Sequence, residues 1–412
     1  MPVELPESQS REAAPTPPRP FVWLTLFVVF MLVGVVDTLL TWPKTEPMGS
    51  AWFWTRLLAL PALAWAIAFG LRLYYFDEET DRLDAEKEVL EADRAIALTF
   101  AQEPLAVLGH AYVCVLGREN VGGEIAGGKS VLVAQTPHAG GKAIRHTALD
   151  VSVTAKEPER YRACFGELIE RMSEVVADLP RTAPLDVRIH LPANVDQELL
   201  CETWETCWHE AGLRIAAASL LSSGPGLMAL DEWLDIKGGP ALEKFTLFVS
   251  VQLNAIPTEN SAESAVGLLL GWAPLAARRG LKPLAMLHRP VEADETKLNE
   301  AVTKALLWGN ATADQIKDIW QSGLQRKDKT ALINSTSKFS LGASKADDLS
   351  GIHDIDVALG YPGVAAGWLA ATLAIEHAAQ THTAQLFVWR EGSMRLAVAQ
   401  PMKPAGEAES SL

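Results

Sequence analysis

The sequence predicts an α/β body carried behind a pair of membrane-spanning helices, on three observations. From about Pro104 onward, strand-like and helix-like segments alternate, as they do in α/β domains. Two apolar runs near the N-terminus, residues 21–40 and 51–76, are each long enough to cross a bilayer. Residues 360–380, GYPGVAAGWLAATLAIEHAAQ, read from Val364 onward as a helix apolar on almost every side, and such a helix is normally buried. Its small residues Gly363, Ala365, Ala366 and Gly367 let another backbone come close, so it belongs at the centre of a layered domain.

Composition sets the limits. The 412 residues, 49% of them apolar, allow two or three domains and a large core. A net charge of -15 argues against a nucleic-acid partner, because phosphate binding needs clustered Lys and Arg.

Residues 1–20 are rich in Pro, Glu and Ser and have little to bury, which predicts a disordered tail; residues 404–412 read the same way. Residues 21–76 then form a transmembrane hairpin, closed by the short turn WPKTEPMGS and flanked by Trp42, Trp52 and Trp54 at the level of an interfacial aromatic belt. A secretory signal is excluded, since the apolar stretch is too long, no A-x-A site follows and a second span comes at once. Arg11 and Arg19 precede the hairpin and Arg72, Arg82 and Lys87 lie at its far end and beyond, against Lys44 alone in the turn. Both ends should therefore face the cytoplasm. Asp37 and Arg56 are the ionisable residues within the spans and are expected to pair at similar depth, fixing the hairpin. Residues 77–103 are a charged run that turns apolar at Ile96, Leu98 and Phe100, which suits a helical stalk docking on a globular body.

Candidate strands follow at 111–116, 130–135, 185–191, 213–220, 245–253, 265–270 and 282–288, with a further segment at 331–335. Candidate helices are 158–177, 197–211, 227–236, 294–308 and 314–322. Gly and Pro clusters at 136–141 and 223–226 mark turns. Residues 123–130, GEIAGGKS, fit the phosphate-loop pattern G-x-x-x-x-G-K-[ST], but that chemistry needs a helix starting at the lysine. The continuation VLVAQTP is β-branched and stopped by a proline, so the segment reads as a turn between two strands. Cys114, Cys164, Cys201 and Cys207 form no C-x-x-C pair and no zinc spacing, and are expected to be reduced and buried; no metal or cofactor is implied. A Cys201–Cys207 disulfide is the expectation only if the topology is reversed. His190 and His288 lie scattered and receive no role.

Residues 360–367, GYPGVAAG, resemble the G-H-T-x-A-A-A-G turn of the thiolase-like condensing enzymes, with Tyr361 in the place of the catalytic histidine. Residues 261–270, SAESAVGLLL, resemble the G-E-G-A-G-A-L-V-L-E strand that closes the first half of those enzymes, and 333–337, INSTS, resemble their N-A-H-G-T-x-T strand end without its histidine. The resemblance covers roughly residues 213–400. It implies two pseudo-equivalent layered α/β halves, 104–275 and 276–403. It also implies that the nucleophile's position falls within 220–226, which holds no cysteine; Ser222 or Ser223 could accept an acyl group only with a base nearby. Ser222, Ser335 and Tyr361 are thus expected to be degenerate catalytic positions, and a tyrosine with an ordinary pKa near 10 is no base at neutral pH.

The strand with S-A-E-[SA]-A-V-x-L-L-L is also similar to the adaptor proteins encoded with type VI secretion lipase effectors. That resemblance implies a non-catalytic adaptor, anchored here to the membrane, that binds a phospholipase effector and a secretion spike protein. The thiolase-like resemblance further implies a homodimer. Two other classes stay open: an acyl-CoA-binding or acyltransferase enzyme, with an ATPase behind it, and a structural subunit of an envelope complex.

Overall fold

Strands that are buried on both faces need no alternation of polar and apolar residues, and the runs FTLFVSVQ and SAVGLLLGW have almost none. They form the middle of a large sheet. The computed structural model describes residues 4–6, 15–44, 46–137, 140, 142–151, 157–221, 226–294, 296–344 and 349–402. Ser222 and Ser223, most of both terminal tails and parts of the turns at 136–141 and 223–226 lie outside the described residues.

The chain divides into two compact units, Glu4–Leu98 and Thr99–Leu412. In the first, α1 (Pro20–Thr41) is followed by α2 (Ala51–Trp54), a π-helical turn (Thr55–Ala59) and the start of α3 (Leu60–Gln102). Both apolar segments are long and apolar enough to cross a membrane. They pack antiparallel: Trp65 Nε1 donates to the Trp23 carbonyl at 2.9 Å, the Trp23 and Phe69 rings meet tilted at 5.1 Å, and a side chain at Gly34 would overlap Pro61.

The second unit begins with β1 (Leu105–Val113), α4 (Val121–Ala126), β2 (Ala134–Gln135), β3 (Ile144–Thr147), α5 (Glu157–Asp178), β4 (Leu185–His190), α6 (Gln197–Glu210) and β5 (Ala217–Leu220). It continues through α7 (Ala229–Leu234), β6 (Phe245–Gln252), β7 (Ser261–Ala262), β8 (Ser264–Trp272), α8 (Ala273–Arg278), β9 (Ala285–Leu287) and β10 (Val291–Ala293). Then come α9 (Leu298–Trp308), β11 (Ile316–Ser322), α10 (Arg326–Lys338), β12 (Ile352–Asp354), α11 (Ile355–Ala358), α12 (Ala366–Thr381), β13 (Ala384–Glu391) and β14 (Ser393–Pro401).

The main sheet runs β12-β11-β13-β14-β9-β1-β8-β6-β4-β5, with β10 beside β14; β2, β3 and β7 form a small second sheet. From either outer edge inward the pattern is the same. Two parallel pairings (β12 with β11 and β11 with β13; β5 with β4 and β4 with β6) lead to two antiparallel ones (β13 with β14 and β14 with β9; β6 with β8 and β8 with β1). The two five-stranded sets meet where β1 pairs antiparallel with β9. This repeated order is the pseudo-twofold architecture of the thiolase-like fold.

One core lies under α5 and α6 against β1, β4 and β6; the other surrounds α12, which packs against Phe248, Val266 and Leu268 from the first set and Trp320, Phe387 and Trp389 from the second. Helix α12 is buried along nearly its whole length, as its composition predicts. A Cβ on Gly367 would sit 2.8 Å from Trp389 Cδ1, so the indole packs directly on the helix backbone.

Several expectations are corrected. Residues 314–322 are a 3₁₀ turn (Ala313–Gln315) and strand β11. Ile316, Ile319 and Trp320 are spaced like a helix face, yet all three are buried in a strand flanked by β12 and β13. Residues 331–335 lie inside α10, a helix started by a reciprocal capping box between Gln325 and Asp328. The first strand is Leu105–Val113 rather than 111–116, the strand expected over 130–135 shrinks to Ala134–Gln135, and β10 takes the residues just before a shorter α9. The phosphate-loop look-alike is the end of α4 and the turn after it, not a turn between two strands. Lys129 pairs with Glu124 at 2.9 Å and the Ser130 hydroxyl donates to the Val357 carbonyl at 2.9 Å, so both side chains are spent on structure.

Candidate functional site

The candidate site forms where β4, β11 and β13 end, beside Gly226 and the segment that follows α11. Tyr361 is fixed by backbone pairing with the small sheet: its N–H donates to the Asn260 carbonyl at 2.7 Å, and its carbonyl accepts from Ala262 at 2.9 Å. Its ring packs over Gly323, where an added Cβ would stand 3.1 Å from Cε2. The residue is 42% exposed; partial burial of its phenol, and then the Asp356 and Glu391 carboxylates, push its pKa above the usual value.

Beside it, the Ser322 hydroxyl at the end of β11 donates to Asp356 Oδ1 at 2.7 Å, and the Gly323 N–H donates to Oδ2 at 2.7 Å. Burial raises the Asp356 carboxyl to about 6, with Ser322 and the Gly323 amide opposing. The sequence Gln321-Ser322-Gly323 therefore takes the strand-end position expected of residues 333–337. Ser335 is on α10 instead, where its hydroxyl donates to Asn299 Oδ1 at 2.9 Å. Ser335 therefore lies on α10, outside this group, and Ser322 is the serine that stands beside Asp356.

The second group is His190, at the end of β4, with Glu391, at the end of β13. His190 Nδ1 accepts from Trp368 Nε1 at 3.1 Å, which leaves the proton of a neutral ring on Nε2, 3.9 Å from Glu391 Oε1. Burial pulls the imidazole down to about 4, so the neutral form is the one held. Burial raises the Glu391 carboxyl, and Arg395, whose Nη1 donates to Oε2 at 3.0 Å, pulls it back.

Gly226 opens the turn that leads into α7. It has a left-handed φ of 47°, and any Cβ there would overlap the Glu391 carboxylate. The Glu391 carboxylate therefore packs directly against the Gly226 backbone at the entry to α7. A cleft of about 760 Å³ borders this turn, walled by Met228, Arg289, Trp308, Arg390 and Met394 among others.

The S-A-E motif is structural. Glu263 is buried and accepts from Arg160 Nη1 and Nη2 at 3.1 and 2.6 Å, from the Leu149 amide at 2.9 Å and from the Asn254 amide at 2.8 Å. It ties the strand start to α5 and two loops. All four cysteines are free; burial raises the Cys114 thiol to about 11 and the Cys164 thiol to about 12, against thiolate chemistry. Asp318 bridges His353 Nε2 at 2.8 Å and His377 Nε2 at 3.5 Å at the β12 edge of the sheet. In the other unit, Arg56 Nη2 meets Asp37 Oδ2 at 3.3 Å, as the sequence predicts.

No family model matches the chain, and no curated protein matches it. Among solved structures it is similar to the ketosynthase from module 1 of the bacillaene synthase from Bacillus amyloliquefaciens FZB42, at 12% identity and a TM-score of 0.52 over 74% of this chain and 77% of that one. It is also similar to the ketosynthase from module 6 of the bacillaene synthase from Bacillus subtilis 168, at 10% identity and a TM-score of 0.53 over 73% of each chain. A third is a type II polyketide synthase ketosynthase in complex with its acyl-carrier protein, AntDE:AntF, at 12% identity and a TM-score of 0.51 over 73% of this chain and 99% of that one. The chain has a ketosynthase-like, that is thiolase-like, fold.

Proposed function

We propose that this chain is a non-catalytic scaffold, anchored in a bacterial inner membrane with its body in the cytoplasm, that binds a protein effector. In its specific form the proposal is a type VI secretion adaptor that loads a lipase effector onto the spike, as the resemblance of residues 261–270 implies. The observation that carries the non-catalytic reading is the Glu391 carboxylate packed against the Gly226 backbone at the entry to α7. Tyr361 and Ser322 add to it, since neither is a base at neutral pH, Ser322 is held by the half-buried Asp356 carboxylate, and the charges of Asp356 and Glu391 act on the phenol. A fold kept without its chemistry is best used as a binding surface.

The full chain, tagged and extracted in mild detergent, should recover a lipase and a spike protein from cells that encode them. An empty capture overturns the adaptor reading. The second reading is acyl-CoA binding in the cleft of about 760 Å³ beside Glu391, whose wall holds Lys304 and Arg390 together with Asp231, Glu292 and Asp294. An acyl-CoA that raises the melting temperature would support it, because a ligand bound only by the folded chain must stabilise it.

A further inference from the structure

The strongest unexplained feature lies in the helical hairpin. Asp37 is four residues from the end of α1, about 6 Å inside it at the rise of an α-helix. Arg56 lies at a similar depth, in the π-helical turn Thr55–Ala59 that interrupts the second segment; such one-turn bulges re-aim a side chain and recur at functional positions.

The pair is incompletely satisfied. The Arg56 bonds run through Nη2 alone, to Asp37 Oδ2 at 3.3 Å and to the Thr41 hydroxyl at 2.7 Å. Among the described residues, Nε, Nη1 and Asp37 Oδ1 have no partner. The side chains are 57% exposed at Asp37 and 31% at Arg56, on a face that also presents Val33 and Leu40. In hydrocarbon such donors and acceptors must find a partner within protein.

We infer that this face is a self-association surface and that its occupant is a second copy of the same hairpin. The argument is charge complementarity. A twofold contact lays the same patch on itself. A patch holding one acid and one base side by side is its own complement, because rotation sets each Asp37 against the Arg56 of the other copy. A patch of one charge would repel itself. The contact satisfies the donors and the acceptor that one hairpin leaves open. It rests on the membrane reading given above and specifies a partner for that segment.

The test uses the full chain carrying Leu40→Cys, reconstituted in phospholipid vesicles and oxidised. Leu40 lies one turn from Asp37 on the same face, and the native cysteines are all in the other unit. A crosslinked dimer that requires Leu40→Cys is expected. Adding Asp37→Arg or Arg56→Asp should reduce it about tenfold, the size of one lost interhelical polar contact. Mixing the two charge variants should restore a crosslink between them, since each supplies what the other lacks. Asp37→Asn, which keeps shape and adds no charge, should also weaken the dimer.

Alkaline extraction of the same vesicles separates the two ideas. Loss of the chain from the membrane overturns the membrane reading. A chain that stays inserted but gives no crosslink, or one indifferent to these charges, overturns the self-association.

Discussion

Asp356 holds Ser322 by a 2.7 Å hydrogen bond to its Oδ1, and through that bond the end of β11 is fixed to the start of α11. The acid is half-buried and its pKa is raised to about 6, so the folded chain binds a proton there that the unfolded chain releases nearer 4. Stability from this group is full below the unfolded value and is lost as pH rises through the folded one. Asp356→Asn cannot titrate. Its stability relative to the parent should improve from pH 4 to pH 7 by roughly 2–3 kcal/mol, read by denaturant unfolding across that range. A difference that stays flat with pH would show that Asp356 is ionised at no cost.

His190 works in the opposite direction. Its pKa is lowered to about 4, so the unfolded chain takes up the proton first and stability falls as pH drops from about 6.5. His190→Gln keeps an acceptor for Trp368 without a titrating ring. On acidification to pH 4 the parent should lose about 3 kcal/mol more than the variant.

Glu263→Gln leaves the Arg160 guanidinium facing a neutral amide in a buried site and takes an acceptor from the bonds made by Leu149 and Asn254. Breaking a buried pair on one side costs about 3 kcal/mol or more. Thermal unfolding in detergent should show the loss even though the residue lies in the motif used to argue partner binding.

Gly367→Leu forces a side chain into the Trp389 indole and should cost about 3 kcal/mol, as overpacking of a filled core does. Gly166→Ala on α5 is the matched control. A Cβ there meets nothing within 4 Å, so the better helix former should stabilise by about 0.5–1 kcal/mol.

Elements with one strong periodic signal were legible: β4, β6, β8, α5, α6 and the buried α12 lie within a few residues of expectation. Strand β11 was not, because Ile316, Ile319 and Trp320 follow helical spacing while neighbours on both edges decide the state. Helix α10 was hidden by the polar run NSTS, whose helical state comes from its capping box and from Leu332 packing inward. The site was half legible. Tyr361 sits in a recognisable motif, whereas His190, Asp356 and Glu391 come from separate elements and share no spacing. Only the sheet brings them together.

Helix α12 carries a cost for biogenesis. The inner face of the first five-stranded set, with Leu105, Val107, Phe248, Val266 and Leu268, is covered by a helix that ends at Thr381. During synthesis more than 100 residues must leave the ribosome after β8 before that face can close. The nascent first half therefore presents an uncovered apolar sheet face, a surface open to aggregation until α12 has been made.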